Sequence, residues 1–374
     1  MLKQYKLKNY HFQLILYICA LTIIGIFVIG SARPDLQPKQ IIGFVVGICI
    51  MLVVSIMDYT FLMKFPWLYY ALMMVLLIMV ELFGKNVNGA QRWLEIGEDS
   101  GITIQPSEFA KLAIVAFFAY FLAKTQENLN TLRTLALSFL FAGIPLLFIL
   151  KQPDLSTTIV TAVIFVVLLF VAGLSYKIIM TVLAVAVPTV IVALTYVIQL
   201  AKSTDADYPY QLDRIMAWLY PNDPRWAGKA LQQQNSIMAI GSGQLWGKGL
   251  NNSEATSMLN TNYILEPQTD FIFAVIGEEM GFVGCAIVVA LLFLTVVECI
   301  YIGSRAKDLQ GRLICCGMAT WIGFQSFVNI GVNTGLLPNT GVPLPFVSYG
   351  LSSVIAIYIG MGFVLNVGLQ PKKY

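Results

Sequence analysis

Ten stretches of this chain are apolar over the length needed to cross a hydrocarbon layer roughly 30 Å thick. They lie near residues 12–32, 40–57, 65–84, 107–123, 134–150, 155–173, 177–199, 271–303, 312–332 and 349–369. Backbone amides in lipid have no water to bond, so each run is predicted to be a helix that satisfies its own N–H and C=O groups. With 58% hydrophobic and 11% charged residues, the composition excludes a soluble globule of this size. The expected fold is an all-α polytopic membrane protein: one transmembrane domain over residues 1–374, with about ten transmembrane helices and one large extracellular loop, residues 200–270, between helices 7 and 8.

The first run follows Lys3, Lys6 and Lys8 and is longer than the core of a cleaved signal, so it reads as an uncleaved anchor. With ten spans and the N-terminus inside, twelve basic residues fall in cytoplasmic segments: Lys3, Lys6, Lys8, Lys64, Lys124, Arg133, Lys177, Arg305, Lys307, Arg312, Lys372 and Lys373. Five fall in short outer loops: Arg33, Lys39, Lys85, Arg92 and Lys151. That bias places both termini in the cytoplasm.

Residues 200–270 are far longer than an ordinary connection. Within them, "YPYQLDRIMAWLYPNDPRW" spaces Leu212, Ile215, Met216 and Leu219 as on one helix face, which predicts an amphipathic interfacial helix. The following "GSGQLWGKGL" has glycines and Lys248 but lacks the spacing of a nucleotide-binding loop. It reads either as a turn holding the loop near the membrane or as a place for an anionic group. Cys19, Cys49, Cys285, Cys299, Cys315 and Cys316 all lie in apolar runs and read as small hydrophobes. The single histidine, His11, leaves no set for a zinc centre or a histidine-based triad. A net charge of +3, evenly spread, gives no nucleic-acid footprint.

Charge inside a membrane span is costly and needs a reason. "QPSEFAKLAI" opens the fourth span with Glu108 and Lys111 three residues apart, on one helix face. "KQPDLSTTIV" places Asp154 at the start of the sixth, and "TDFIFAVIGEE" places Asp270 at the start of the eighth with Glu278 and Glu279 further in. Arg92 stands beside Trp93. "NTGLLPNTGVPLPFVSYGLSS" offers Ser348 and Tyr349 on an irregular backbone, which at membrane depth requires protein packing or a wet cavity. Each has a plainer reading. Asp270 and Asp154 suit helix caps, Glu108 and Lys111 a structural ion pair, and Arg92 an interfacial anchor. Together, however, they share the outer face, and they make a site if the helices converge. An enzyme there has no nucleotide to draw on, so it must use a substrate already activated, most simply a lipid-linked pyrophosphate. Lys111, Arg92, Arg214 or Lys248 would meet the pyrophosphate and a carboxylate would take a proton from an attacking hydroxyl.

The motifs "QPSEFAKL", "QPDL", "AIGSG", "GKG", "EPQTDFIFAVIGEE" and "GLLPNTGVPLPFVSYG" resemble those of the RodA/FtsW (SEDS) family of peptidoglycan glycosyltransferases, from about residue 85 to the C-terminus. The resemblance implies polymerisation of lipid II into glycan strands at the outer face of the bacterial cytoplasmic membrane, with release of undecaprenyl pyrophosphate, beside a class B penicillin-binding protein that supplies the transpeptidase. It implies that Asp270 is the essential residue, as general base or as ligand of a divalent cation (Mg or Mn), and that Lys111, Glu108 and Asp154 matter with it. The chain departs from the family pattern at Leu265, Gln244 and Leu351, changes of loop shape that leave the charges in place. "AIGSGQLWGKGL" and "AVIGEEMGFVGC" lean toward the RodA branch. Two other functions stay open at this stage: a lipid II flippase and a non-catalytic scaffold for the transpeptidase.

Overall fold

The computed structural model describes residues 9–87, 90–96, 102–152, 154–182, 184, 188–189, 192, 195, 210–251 and 266–370. Eight of the described helices are long and apolar enough to span a membrane: α1 (Phe12–Ala32), α2 (Gln37–Ile56), α4 (Pro66–Phe83), α5 (Pro106–Lys124), α6 (Leu132–Lys151), α10 (Ile272–Ser304), α11 (Leu309–Asn333) and α12 (Leu351–Leu369). A ninth, α7 (Leu155–Val171), is apolar but shorter. The seventh expected run is helical over 176–182, and most of the rest of it lies outside the described residues, as do 200–209 and 252–265 of the long loop. The single-turn α3 (Tyr59–Leu62) links α2 to α4.

The long connections before α5, before α10 and before α12 gather at one end of the bundle, where Gln105 N–H donates to Ser352 Oγ and Ser348 Oγ donates to Thr269 O. Between α4 and α5 the chain forms a three-stranded antiparallel sheet, β1 (Lys85–Val87), β2 (Ala90–Ile96) and β3 (Ile102–Ile104), in the order β1-β2-β3. In the long loop, α8 (Tyr210–Leu219) forms where the apolar spacing predicts a helix. Met216 and Ala217 pack with Trp226 and with Ala230 of α9 (Ala227–Ser242), giving the loop a small core of its own. Trp218 Nε1 donates to Gly335 O at 2.8 Å, and Gln233 Nε2 donates to Val332 O and Leu337 O at 2.8 and 2.7 Å, which clamps α8 and α9 over the 334–350 connection. That connection has no regular secondary structure, but Leu344, Phe346 and Val347 are buried, so its backbone is held by protein as membrane depth demands.

α10 has 33 residues, about 50 Å at 1.5 Å per residue, more than one crossing requires. It breaks at Gly281, where φ 65° and ψ −164° lie in a region essentially reserved for glycine. The break frees backbone groups, and the turn after α9 satisfies them. Phe282 and Val283 N–H donate to Gln244 O and Leu245 O, while Lys248 and Gly249 N–H donate to Glu278 O and Glu279 O. The "GQLWGKG" stretch is therefore a structural plug for a broken membrane helix.

Candidate active site

A cavity of about 420 Å³ opens at the loop-rich end, lined by residues from the sheet, α5, α7, α8, the 266–270 segment and the 341–353 segment. Asp270, Glu108, Arg92, Arg214 and Tyr349 line it, so five of the nine sequence-predicted site residues meet there. Trp93, Thr157 and Glu266 line it as well.

Asp270 sits just before α10, whose own N-cap residue, Phe271, makes no side-chain capping bond, and among the described residues no helix N–H is bonded to the Asp270 carboxylate. Its carboxylate is therefore not spent on the helix start. Gly341 makes the wall close. At φ +71° its backbone passes so near that an added Cβ would stand 3.1 Å from Asp270 Oδ2 and 3.3 Å from Arg214 Nη1. Burial pushes the Asp270 carboxyl up to about 6; Arg214 and Arg92 pull it down, and Glu266 and Asp154 push it further up. Arg214 Nη1 also donates to Asn339 O at 3.2 Å and Arg92 Nε to Gln152 O at 3.1 Å, which holds both guanidinium groups at the cavity wall.

Behind this wall lies a charge pair. Lys111 Nζ donates to Glu108 Oε1 at 2.7 Å and Gln325 Oε1 at 2.8 Å, and stands 4.8 Å from the centre of the Trp321 ring. Both ionic side chains are 1% exposed. Lys111 thus supports Glu108 rather than facing the cavity, while Glu108 Oε2 is buried with no partner. An orphaned carboxylate oxygen at a cavity wall is a position prepared for a hydrogen-bond donor.

The remaining sequence-predicted residues sit nearby or elsewhere. Asp154 caps α7, its Oδ1 accepting from Thr157 N–H at 3.1 Å and its Oδ2 from Thr157 Oγ1–H at 2.9 Å, within electrostatic reach of Asp270. Ser348 is a buried staple: its Oγ donates to Thr269 O at 2.7 Å and accepts from Leu344 N–H at 2.7 Å. Lys248 is in the helix plug, its Nζ 2.8 Å from Glu278 Oε1.

The profile of the family described as cell cycle proteins, covering FtsW, RodA and SpoVE, matches residues 7–373. The chain belongs to the FtsW/RodA/SpoVE family. A probable peptidoglycan glycosyltransferase FtsW of Trichlorobacter lovleyi is 32% identical over 385 residues, covering 99% of this chain and 96% of that protein. The peptidoglycan glycosyltransferase MrdB of Escherichia coli is 34% identical, covering 96% of this chain and 93% of that one. Among solved structures, a chain from work on the structural coordination of polymerization and crosslinking by a peptidoglycan synthase complex superposes with a TM-score of 0.76 at 28% identity, over 96% of this chain and 97% of that chain. This FtsW/RodA/SpoVE family member is accordingly a multi-pass membrane protein. FtsW-named and MrdB-named relatives lie at nearly equal identity, so overall similarity does not favour either branch.

Proposed function

We propose that this protein is a peptidoglycan glycosyltransferase that polymerises lipid II at the outer face of the bacterial cytoplasmic membrane, with both termini on the cytoplasmic side, and that the Asp270 cavity is where it does so. The observation that carries the reading is a carboxylate raised toward neutrality by burial, in a cavity walled by two guanidinium groups. A base must lose its proton readily near the working pH yet hold one in the transition state, and a carboxyl near 6 meets that need better than one at 3.8.

In this mechanism Asp270 accepts the proton of the attacking sugar 4-hydroxyl as its oxygen bonds to the anomeric carbon of the other sugar. The bond from that carbon to the pyrophosphate oxygen breaks, and undecaprenyl pyrophosphate leaves with the electron pair. Arg92 and Arg214 meet its charge by charge-assisted hydrogen bonds. The unpartnered oxygen of Glu108 accepts from a sugar hydroxyl or amide and orients the ring. Lys111, out of the cavity, holds Glu108 in place, and Tyr349 closes the wall beside Gly350.

A divalent cation, Mg or Mn, fits the same donors. Asp270 and Glu266 offer oxygen ligands at one cavity wall, and Mg is commonly held by one or two carboxylates together with substrate phosphates. Among the described residues no three potential metal-ligating side chains converge, so Asp270 and Glu266 would hold such an ion only together with oxygens from the substrate or water. Held there, it would supply positive charge against the leaving pyrophosphate. The class B penicillin-binding protein implied by the motifs is the proposed transpeptidase partner.

The test is polymerisation of fluorescent lipid II by the purified protein with its transpeptidase partner, wild type beside Asp270→Asn, with and without chelator. Glycan ladders from wild type alone support the assignment, and their loss with chelator supports the metal. No ladders from wild type, on substrate that an unrelated glycosyltransferase polymerises, refutes the function.

A further inference from the structure

Three neutral amides recur along one face of α11: Gln325, Asn329 and Asn333, at i, i+4 and i+8, each no more than 1% exposed. Buried amides in an apolar helix are costly unless their bonds are made, and these are made to the walls of the active site. Asn329 Nδ2 donates to Asp270 O at 2.9 Å and to Val342 O at 2.7 Å. Asn333 Nδ2 donates to the same Asp270 O at 2.9 Å. Two side-chain donors thus converge on the backbone carbonyl of the one residue that carries the proposed base.

Asn333 does a second thing. Its Oδ1 accepts from Ala274 N–H at 3.1 Å, in the first turn of α10, an N–H that is shared with Phe271 O at 3.0 Å. That is the work a capping carboxylate at Asp270 would otherwise do. Gln325 extends the same face: its Oε1 accepts from Lys111 Nζ and Trp321 Nε1, both at 2.8 Å, and its Nε2 donates to Pro343 O at 2.8 Å. One helix face therefore ties together the Asp270 segment, the 342–343 wall and the lysine behind Glu108.

We infer that Asn329 and Asn333 are positioning residues for Asp270, fixing its backbone from α11 and capping α10 in its place so that its carboxylate is held toward the cavity. Neither touches the cavity, so their effect passes through Asp270. An error of about 1 Å in a reacting group costs on the order of a hundredfold in rate. The inference rests on the proposed polymerase reading for its rate measurement, so it is also given a readout independent of activity.

The experiment compares wild type, Asn329→Leu, Asn333→Asp and Asn366→Leu. Asn366 is a buried amide on α12 at the far end of the bundle, bonded to Tyr59 N–H and Ser55 O, and serves as the structural control. Asn333→Asp keeps the oxygen that accepts from Ala274 and turns the donors into a second oxygen facing the Asp270 carbonyl, so the thermal midpoint of each variant is read beside its rate and only folded protein is assayed. Lipid II polymerisation per folded molecule should fall at least tenfold in Asn329→Leu and Asn333→Asp, in the maximal rate, with KM within twofold of wild type. Asn366→Leu should lower the thermal midpoint and leave that rate unchanged. Hydrogen–deuterium exchange of the 266–274 segment should quicken in the two α11 variants and not in Asn366→Leu. Wild-type rate in Asn333→Asp, or unchanged exchange at 266–274, overturns the inference. A wild-type protein that makes no glycan defeats the polymerase reading instead and leaves the exchange result to decide this one.

Discussion

At Asp270 two effects of its position oppose each other. A carboxylate just before a helix feels the positive end of the helix dipole, which favours the charged form, whereas removal from water favours the neutral form. Here burial wins, and the carboxyl rises to about 6. For a base that acts when deprotonated, polymerisation should fall as pH drops through about 6, with the acidic limb of the kcat/KM profile reporting Asp270. Removing the Arg214 cation disfavours the carboxylate, so Arg214→Ala should move that limb to higher pH; Glu266→Gln removes a like charge and should move it to lower pH. The same shift acts on stability. A carboxyl raised from 3.8 to about 6 on folding opposes the folded state in full above pH 6, and this penalty vanishes as pH falls below about 4. Asp270→Asn should therefore raise stability at pH 7.5 by about 1–3 kcal/mol, from roughly 1.4 kcal/mol per pKa unit, while lowering the rate by about 10²–10⁴-fold. A thermal melt and a lipid II assay on the same preparation check both signs, and a variant that is less stable than wild type would contradict the account.

Elements show where sequence reading reaches and where it stops. The Glu108–Lys111 pair is legible because helix geometry alone brings i and i+3 together, and α8 is legible from its apolar spacing. That Lys111 faces away from the cavity is not legible, because its direction is set by Gln325 and Trp321, more than two hundred residues on. The small sheet 85–104 is not legible, because it is short and lies between strong apolar runs that leave the segment reading as a short outer loop. The amides of α11 left a faint signal, three polar residues at helical spacing in a span, but their partners in the 270 and 342 segments are fixed only by the fold. Two predictions belong here. Lys111→Met leaves Glu108 buried and unpaired and should cost about 3–5 kcal/mol; adding Glu108→Gln should restore most of the melting temperature but none of the polymerase activity. Gly281→Ala puts a Cβ 2.4 Å from Gly247 N, in a backbone conformation alanine rarely adopts. It should separate the 244–249 plug from α10, seen as faster exchange of the Phe282 and Val283 amides, whereas unchanged exchange would mean the plug does not depend on the break.

Across the whole molecule the charged groups divide by end, and this division bears on whether the protein makes a polymer or moves a lipid. The cavity with Asp270, Glu108, Arg92 and Arg214 lies at the loop-rich end. Toward the other end, described acidic groups are tied into local structure: Glu298 Oε1 meets His11 Nδ1 at 2.6 Å, Asp308 accepts from Tyr59 Oη–H at 2.9 Å and caps α11 through Gly311 N–H, and Asp58 accepts from Thr60 and Gln370. Between the ends, the described core is continuous apolar packing, with Ile114, Phe118, Ile164, Leu168 and Met318 all buried. A carrier of a pyrophosphate headgroup needs polar stations through both leaflets to offset desolvation of its charge; a polymerase needs them only where the reaction occurs. Reconstituted into vesicles with fluorescent lipid II in both leaflets, the protein should leave the fraction shielded from an impermeant quencher the same as in protein-free vesicles. Under polymerising conditions, glycan should form only from the leaflet that the cavity faces, leaving lipid in the opposite leaflet unconsumed. Consumption of both leaflets together with loss of shielding would mean that the apolar core opens to pass the headgroup, and the cavity would then be one station of a transport path.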